Sequence, residues 1–135
     1  MSDTSLPTPA PPVTPETQPF WDATAEGRLV LPRCRACQAI IWYPRAICPA
    51  CHSMDVEWID ASGRGTIYSF TVIRRSGYAG GLDYVLAYVE LAEGPKVMTN
   101  IVEYAPADLA CGRAVEVVFY DTGHGSALPR FKPSP

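Results

Sequence analysis

The residues best suited to chemistry are four cysteines in two pairs. Cys34 and Cys37 form one Cys-x2-Cys pair, Cys48 and Cys51 form another, and ten residues separate the pairs. Each pair can present two thiolates from one loop, and two facing loops build the tetrahedral four-sulfur shell that zinc accepts at bond lengths of about 2.3 Å. A full shell leaves no position for a reactive water. The spacing therefore predicts one structural zinc ion.

Iron and other ligands are the alternatives at this site. Thiolates alone do not discriminate iron from zinc, but the sequence offers no second redox group, which favours zinc. His52 follows Cys51 directly and could replace a ligand; with four cysteines in place we expect it at the surface or outside the metal shell. Cys111 lies far from the pairs and is expected to be a small core residue, with a reactive thiol as the alternative.

Groups for nucleophilic or acid–base catalysis are scarce in this sequence. His52 and His124 are its two histidines, one beside the cysteines and one in a Gly-His-Gly loop. A triad needs a nucleophile, a base and an orienting group together. The glycine-rich stretch 76–81 is not followed by the Lys-Ser/Thr of a phosphate loop, so a loop between strands is expected there. No catalytic residue is predicted.

Composition narrows the class of protein further. The 135 residues carry a formal net charge of −3, so neither nucleic acid nor a membrane surface is the default partner. No apolar run approaches the roughly 20 residues of a membrane span, and the first residues lack the pattern of a signal peptide. A cytoplasmic protein is expected. In that reducing compartment paired cysteines bind metal more often than they form disulfides.

The elements before the cysteines are a tail and a short helix. Residues 1–17 are rich in proline and threonine and offer little to bury, which predicts a flexible tail. Pro19 and Gly27 suit the start and end of a helix between them. Its Phe20 and Trp21 are large and must pack against something, either this chain or a partner protein; the first alternative is favoured.

Short strands surround the cysteine pairs, and longer ones follow. Strands are predicted over 29–31, 40–43 and 56–59, too little to form a core without the metal. After residue 63, alternation of apolar residues predicts strands over 66–73, 84–91, 96–101, 114–120 and 128–132, with a helical turn over 106–112. On the first of these, Tyr68, Phe70 and Val72 share one face.

This order of elements is typical of one small barrel. Three strands, a short helix and two strands predict a five-stranded OB-fold barrel. The predicted fold class is mainly β: a short N-terminal helix, a zinc ribbon and the barrel. The predicted domains are the tail at 1–17, the helix and ribbon at 18–61, and the OB-fold domain at 62–135.

Several motifs together resemble the DUF35 family. They are Phe20-Trp21, Glu26-Gly27-Arg28-Leu29, both cysteine pairs, Pro44-Arg45, Trp58, Gly63-x-Gly65-x-Ile67-Tyr68-Ser69-Phe70-Thr71-Val72 and Gly112-x-x-Val115-x-Val117-x-Phe119. The resemblance implies a rubredoxin-like zinc ribbon followed by an OB-fold, and covers nearly everything after the tail. Gln38 and His52 stand where such ribbons often have glycine, so they must tolerate unusual backbone angles.

The resemblance also implies a role beside another enzyme. Members of the family form complexes with thiolase-like enzymes, acyltransferases, synthases, aldolases or hydratases, in which the partner supplies the catalytic residues and this chain supports it and assists acyl-CoA binding or transfer. If this chain contacts CoA, Arg74, Arg75 and Lys96 are the candidate phosphate-binding cations, although each could equally be a solvated charge at a strand end.

Two other functions stay open from the sequence. Zinc ribbons and OB-folds also bind single-stranded nucleic acid, with Tyr68, Phe70, Tyr84 and Tyr88 as possible stacking platforms, but the charge of −3 argues against it. An independent enzyme is the third alternative. The leading hypothesis is a non-catalytic subunit of an acyl-CoA enzyme, with the helix bearing Phe20 and Trp21 as a candidate partner contact.

Overall fold

The computed structural model describes residues 6–74 and 82–135. Within these ranges one α-helix precedes a two-stranded sheet and a closed five-stranded barrel, which confirms the predicted fold class. The elements are α1 (Gln18–Ala25), β1 (Val30–Cys34), β2 (Val56–Asp60), β3 (Arg64–Ile73), β4 (Tyr84–Leu91), β5 (Lys96–Ile101), a 3-10 turn (Pro106–Asp108), β6 (Ala114–Asp121) and β7 (Ala127–Pro133).

Helix α1 begins where proline fits the first turn and packs on the barrel through one face. Phe20, Trp21 and Ala23 are buried, and the helix contacts β1, β6 and β7. The helix ends at Ala25, and Gly27 follows with a φ of +75°, the left-handed conformation that glycine adopts without strain. The predicted helix and its C-terminal glycine are therefore confirmed.

The ribbon sheet is smaller than predicted. Strands β1 and β2 pair antiparallel from Val30 opposite Asp60 to Cys34 opposite Val56, but the predicted strand over 40–43 is wrong. Ile40 makes a single bridge to Arg33, and the Ile41 backbone N–H donates to the Pro32 carbonyl at 2.8 Å. Proline has no N–H to return the second hydrogen bond of that pair, so the ladder stops there.

The barrel closes in the order β3-β4-β5-β7-β6, with β6 pairing back to β3. All neighbours are antiparallel except β5 and β7, which meet in parallel at Ile101 and Phe131. At the point where β3 pairs with both β4 and β6, a Cβ on Gly65 would lie 2.6 Å from the Glu90 carbonyl oxygen. Glycine is therefore required for this close strand approach.

A β-bulge in β3 changes which residues face the core. Ile67 lies opposite Val89 and Ser69 opposite Tyr88, so Tyr68 is the extra residue. Ile67, Phe70 and Val72 turn inward as a result, whereas Tyr68 is 55% exposed. The prediction that Tyr68 shares a face with Phe70 and Val72 is wrong, because a bulge shifts the two-residue alternation by one position.

One large core joins the helix, the barrel and the base of the ribbon, which consists of Leu29 and the first residues of β1, Val30 and Leu31. The alternating residues of β4 are buried as predicted, and they pack in one cluster with Phe20, Trp21 and Leu31. A second, small cluster contains Cys34, Ile41 and Cys48 near the tip of the ribbon. The ribbon tip therefore has little apolar core of its own.

The described part of the predicted tail lies against this core. Leu6 is 9% exposed and Thr17 is 5% exposed, and regular structure begins only at α1. The predicted boundaries of tail, ribbon and barrel, and the flexibility of residues 1–17, stay predictions. No helix in the described ranges has the length and apolar character needed to cross a membrane.

Candidate metal centre

The four cysteine sulfurs converge at one point of the ribbon. The Sγ atoms of Cys34 and Cys51 are 3.6 Å apart, those of Cys37 and Cys48 are 3.7 Å apart, and all four lie within 4.8 Å of one another. A tetrahedron with zinc–sulfur bonds of about 2.3 Å has sulfur–sulfur edges of about 3.8 Å. The arrangement therefore fits a zinc ion, and four thiolates complete its shell.

Each pair of cysteines sits on the same kind of turn. The Gln38 backbone N–H donates to the Cys34 carbonyl at 2.8 Å, and the His52 backbone N–H donates to the Cys48 carbonyl at 2.8 Å. Both turns end in a left-handed residue, with φ of +68° at Gln38 and +66° at His52. This confirms that both residues adopt the backbone angles expected where glycine is usual. Sequence spacing thus sets the geometry of both loops.

Hydrogen bonds from backbone N–H groups and between neighbouring thiols shift the pKa values of the cysteines. The N–H of Cys51, and then that of Ala50, favour the Cys48 thiolate and lower its pKa to about 7 despite its burial. At Cys51 the Ser53 N–H also favours the thiolate, but the Cys34 thiol, burial and the other two thiols outweigh it and raise the pKa to about 12. The positive charge of zinc, when bound, holds such thiols deprotonated.

Ion pairs hold the two strands of the ribbon together beside the cysteines. The Arg33 guanidinium donates to the Glu57 carboxylate at 2.6 and 2.9 Å, and Arg35 reaches Asp55 at 2.9 Å and Glu57 at 3.3 Å. Arg33, through its hydrogen bonds and charge, lowers the pKa of Glu57. These partly exposed pairs cross-link β1 and β2 but contribute little energy each.

The helix aromatics lie inside the chain. Phe20 is 1% exposed and Trp21 is 8% exposed. The Phe20 ring meets those of Trp21 at 4.9 Å and Trp42 at 5.5 Å in edge-to-face contacts. Of the two alternatives, docking on this chain is the one observed. A direct partner contact by these two rings stays a prediction.

The candidate CoA-binding cations do not form one cluster in the described residues. Arg74 Nη1 donates to Asp83 at 2.8 Å, and Lys96 Nζ lies 4.8 Å from the centre of the Tyr68 ring. Arg75 lies outside the described residues. A role for these three cations in CoA binding stays a prediction.

An exposed apolar patch on the barrel was only partly anticipated. Tyr68 and Tyr88 face outward with 55% and 46% exposure, whereas Phe70 points inward, so the four predicted stacking rings are split between two faces. Met98, directly opposite Tyr88 and 59% exposed, completes the patch. The alternation of β5, with Val97 buried, was the signal that places Met98 on the outer face.

The remaining candidate residues sit apart from one another. His52 is exposed beside the metal site, and His124 Nδ1 lies 3.0 Å from the Thr122 carbonyl oxygen. Within the described residues neither histidine forms an ion pair. Cys111 is exposed, so the expectation of a core position is wrong: it lies in the surface turn after Pro106–Asp108, where Leu109 packs against the core instead.

Two family models match most of the chain. Residues 21–57 match the rubredoxin-like zinc ribbon domain of ChsH2, and residues 58–120 match its C-terminal OB-fold domain. A DUF35 domain-containing scaffold protein of Methanothermobacter thermautotrophicus is 36% identical over 90 residues, which are 64% of this chain and 68% of the relative. The chain belongs to the DUF35 family. The predicted zinc ribbon, OB-fold and family are thereby confirmed.

Other DUF35 relatives are named as enzyme subunits. A probable enoyl-CoA hydratase alpha subunit of Thermomonospora curvata is 36% identical over 85% of this chain, which spans only 37% of that protein. The benzoylsuccinyl-CoA thiolase subunit BbsA of Thauera aromatica is 30% identical over 71% of this chain and 68% of the relative. These names describe those relatives.

A solved DUF35 structure has the same fold. A chain described as Ltp2-ChsH2(DUF35) aldolase superposes with a TM-score of 0.82 at 32% identity, covering 92% of this chain and 98% of that chain. The likeness therefore extends through ribbon and barrel together, well beyond the cysteine pairs.

Proposed function

We propose that this DUF35 chain is an accessory subunit of an acyl-CoA enzyme complex in which a thiolase-like, aldolase or hydratase partner carries the catalytic residues. The observation that carries the proposal is the likeness over 98% of a chain described as part of an Ltp2-ChsH2(DUF35) aldolase. The named hydratase and thiolase subunits support it, because both names include a CoA substrate. Three partner chemistries in one family favour a supporting role common to all of them.

The metal centre supports a structural role for the ribbon. Four cysteines fill the shell of a zinc ion, so the ion has no open position for substrate or water. The zinc instead holds a ribbon tip whose own apolar cluster is small and is built on Cys34, Ile41 and Cys48. Such a rigid, small module suits a contact surface better than a reaction centre.

The patch of Tyr68, Tyr88 and Met98 is the surface we assign to the partner subunit. These three side chains are exposed and lie on one face of the barrel. Aromatic residues and methionine are more frequent in protein–protein interfaces than on the rest of a protein surface, and an exposed apolar patch often marks such an interface. The rings of Phe20 and Trp21 support the neighbouring surface from inside. Helix α1 thus contributes to partner binding through the residues that it holds in place.

Co-purification with candidate partners tests the proposal. Tagged chain is co-expressed with each product of the neighbouring reading frames, and the complexes are isolated and assayed with acyl-CoA substrates. We expect a stable complex with an acyl-CoA enzyme and turnover that requires that partner. A chain that remains alone with every candidate, or that turns over acyl-CoA by itself, contradicts the proposal.

Charge on the patch should break this complex selectively. We expect Met98→Asp to weaken assembly at least about 10-fold, because a desolvated carboxylate at an apolar contact costs more than 1.4 kcal/mol. Met54→Asp is the matched control, since Met54 is also an exposed methionine, 74% exposed, but lies on the ribbon. Sedimentation velocity measures both variants. If the Met98 and Met54 variants bind the partner subunit with equal affinity, the patch is not part of the interface.

Contact with CoA by Arg74, Arg75 and Lys96 is the finer part of the proposal. Guanidinium groups bind phosphates through paired hydrogen bonds, so R74A/R75A should weaken CoA binding by the assembled complex. Asp83 already accepts from Arg74 and competes with phosphate for it. Arg28→Ala is the control, because Arg28 is also exposed and ion-paired. Calorimetry measures the affinity for CoA, and an unchanged affinity in R74A/R75A would contradict this assignment.

A cytoplasmic location also belongs to the proposal. Cysteine pairs that bind zinc as thiolates persist where the compartment is reducing. Cell fractionation with immunodetection tests the location, and recovery of the chain outside the cytoplasm would contradict it.

A further inference from the structure

A groove of about 690 Å³ lies between helix α1, the barrel and the N-terminal segment. One side, here called the aromatic groove wall, consists of Trp21, Trp42, Tyr43 and Met98. The facing side is formed by residues 9–12, whose sequence is Pro-Ala-Pro-Pro. A proline-rich segment therefore faces aromatic rings across this groove.

The aromatic groove wall is a rigid, preformed surface. The Trp42 and Tyr43 rings meet edge to face at 5.3 Å, and Phe20 packs behind them at 5.5 and 6.4 Å. Tyr43 keeps 41% of its surface exposed although it belongs to this cluster. Flat, exposed rings held by buried ones are the feature by which protein grooves recognise extended proline-rich segments.

The segment of residues 6–13, here called the strap, is fastened at its first residues. Leu6 is 9% exposed beside Tyr84 and Tyr120 at a second cavity of about 400 Å³. The buried Arg130 donates from Nη2 to the Pro7 carbonyl at 2.6 Å. One apolar side chain and one hydrogen bond thus anchor this end.

The strap is fastened again just beyond its other end. Thr14 and Thr17 exchange hydrogen bonds at the start of α1, and the Glu16 carboxylate accepts from the Ala46 backbone N–H at 2.6 Å. Between the two anchors, residues 8–13 make no hydrogen bond to any described residue. Pro9, Pro12 and Val13 are exposed and Pro11 is partly buried, so the middle of the strap is held only weakly beside the groove that it lines.

We propose that the strap is a releasable proline-rich ligand of the aromatic groove, and that its release opens the groove. Proline loses little conformational entropy when it docks, because its φ is already restricted. A segment whose middle makes no hydrogen bond to any described residue can leave without breaking a hydrogen-bond ladder. This inference goes beyond the proposed function, and its tests need no partner protein.

Binding of the strap sequence in trans tests the proposal on the full-length chain. The variant P9S/P11S/P12S keeps both anchors but loses the prolines that face the groove, and Pro15→Ser is the matched control because Pro15 does not line it. The probe is a fluorescein-labelled peptide, Leu-Pro-Thr-Pro-Ala-Pro-Pro-Val. We expect it to bind the triple variant at least about 10-fold more tightly than the natural chain or P15S, because a strap that is closed most of the time competes with it.

Loss of the Tyr43 ring should abolish the increase in peptide affinity that the triple variant shows. Adding Tyr43→Ala to the triple variant is expected to return peptide affinity to the level of the natural chain. Zinc content and melting temperature verify that each variant is folded. Equal peptide binding by the triple variant and P15S overturns the proposal. So does a triple variant that binds the apolar dye anilinonaphthalene sulfonate more strongly but does not bind the peptide, because the groove then lacks proline recognition.

Discussion

Gln38 and His52 occupy equivalent places in the two cysteine turns, where both have a left-handed backbone. The φ angles of +68° and +66° cost a non-glycine residue roughly 1 kcal/mol or more relative to glycine. Gln38 recovers part of this cost, since its Nε2 donates to the Arg35 carbonyl at 2.9 Å. The His52 side chain makes no hydrogen bond within the described residues. His52 is therefore the more strained of the two positions.

Glycine at position 52 should stabilise the ribbon. We expect His52→Gly to increase the free energy of unfolding of the zinc-bound chain by about 1 kcal/mol, because the left-handed strain is relieved without loss of a side-chain hydrogen bond. Gln38→Gly should gain less. Denaturant titration of the zinc-loaded protein measures both effects.

Ala36→Gly provides the control for the glycine itself. Its φ is not positive, so glycine there only adds freedom to the unfolded chain and should lower stability. If His52→Gly lowers stability as much as Ala36→Gly does, then strain at His52 is refuted.

At the scale of elements, one hydroxyl group forms a hydrogen bond between α1 and β7. The Thr24 side chain is 1% exposed, donates to the Trp21 carbonyl at 2.6 Å and accepts from the Ala127 backbone N–H at 3.1 Å. A buried N–H without a partner costs about 1–3 kcal/mol. Thr24 thus joins the helix to the last barrel strand across 103 residues of sequence.

Removal of this hydroxyl should loosen the helix from the barrel. Thr24→Val keeps the shape but leaves the Ala127 N–H unpaired, so we expect a loss of about 1–3 kcal/mol in the free energy of unfolding. Thr71→Val on the exposed side of β3 is the control and should change stability little. Thermal melts measure both, and hydrogen exchange at Ala127 should accelerate only in the Thr24 variant. Unchanged exchange there would show that the bond does not hold the helix.

At the scale of the whole molecule, two cores of very different size share the stability. The large core runs through α1, the ribbon base and the barrel, whereas the ribbon tip has only the cluster of Cys34, Ile41 and Cys48. Structural zinc sites in small modules contribute about 10–16 kcal/mol of apparent binding free energy at neutral pH. The tip therefore depends on zinc, and the barrel depends on its apolar core.

Removal of zinc should unfold the tip and leave the barrel folded. We expect chelation or Cys48→Ser to abolish hydrogen-exchange protection of the Gln38 and His52 amides in the cysteine turns while the strands β3–β7 keep theirs, because the large core needs no metal ligand. Cys111→Ser is the control, since this exposed cysteine lies outside the site. A Cys48→Ser chain that binds one zinc as tightly as the natural chain contradicts the assigned ligand set.

Much of this architecture could be predicted because the relevant interactions are local in sequence. Two cysteines separated by two residues share one turn, so their spacing determines the ligand set. Strand alternation likewise identified the buried residues of β4, because the pleat repeats every two residues. The prediction of a strand over 40–43 was wrong because Pro32 has no N–H to donate to this segment. The sequence shows the proline, but only the structure shows that residues 40–43 lie beside it.

The sequence by itself determined the zinc ligands, the order of the elements and the five-stranded barrel. The tertiary structure alone decided the bulge at Tyr68, the burial of Phe20 and Trp21, the meeting of Tyr68, Tyr88 and Met98 in one patch, and the path of the strap. The physical reason is distance along the chain. Arg130 binds Pro7 across 123 residues, and no periodicity or turn motif encodes contacts between segments so far apart.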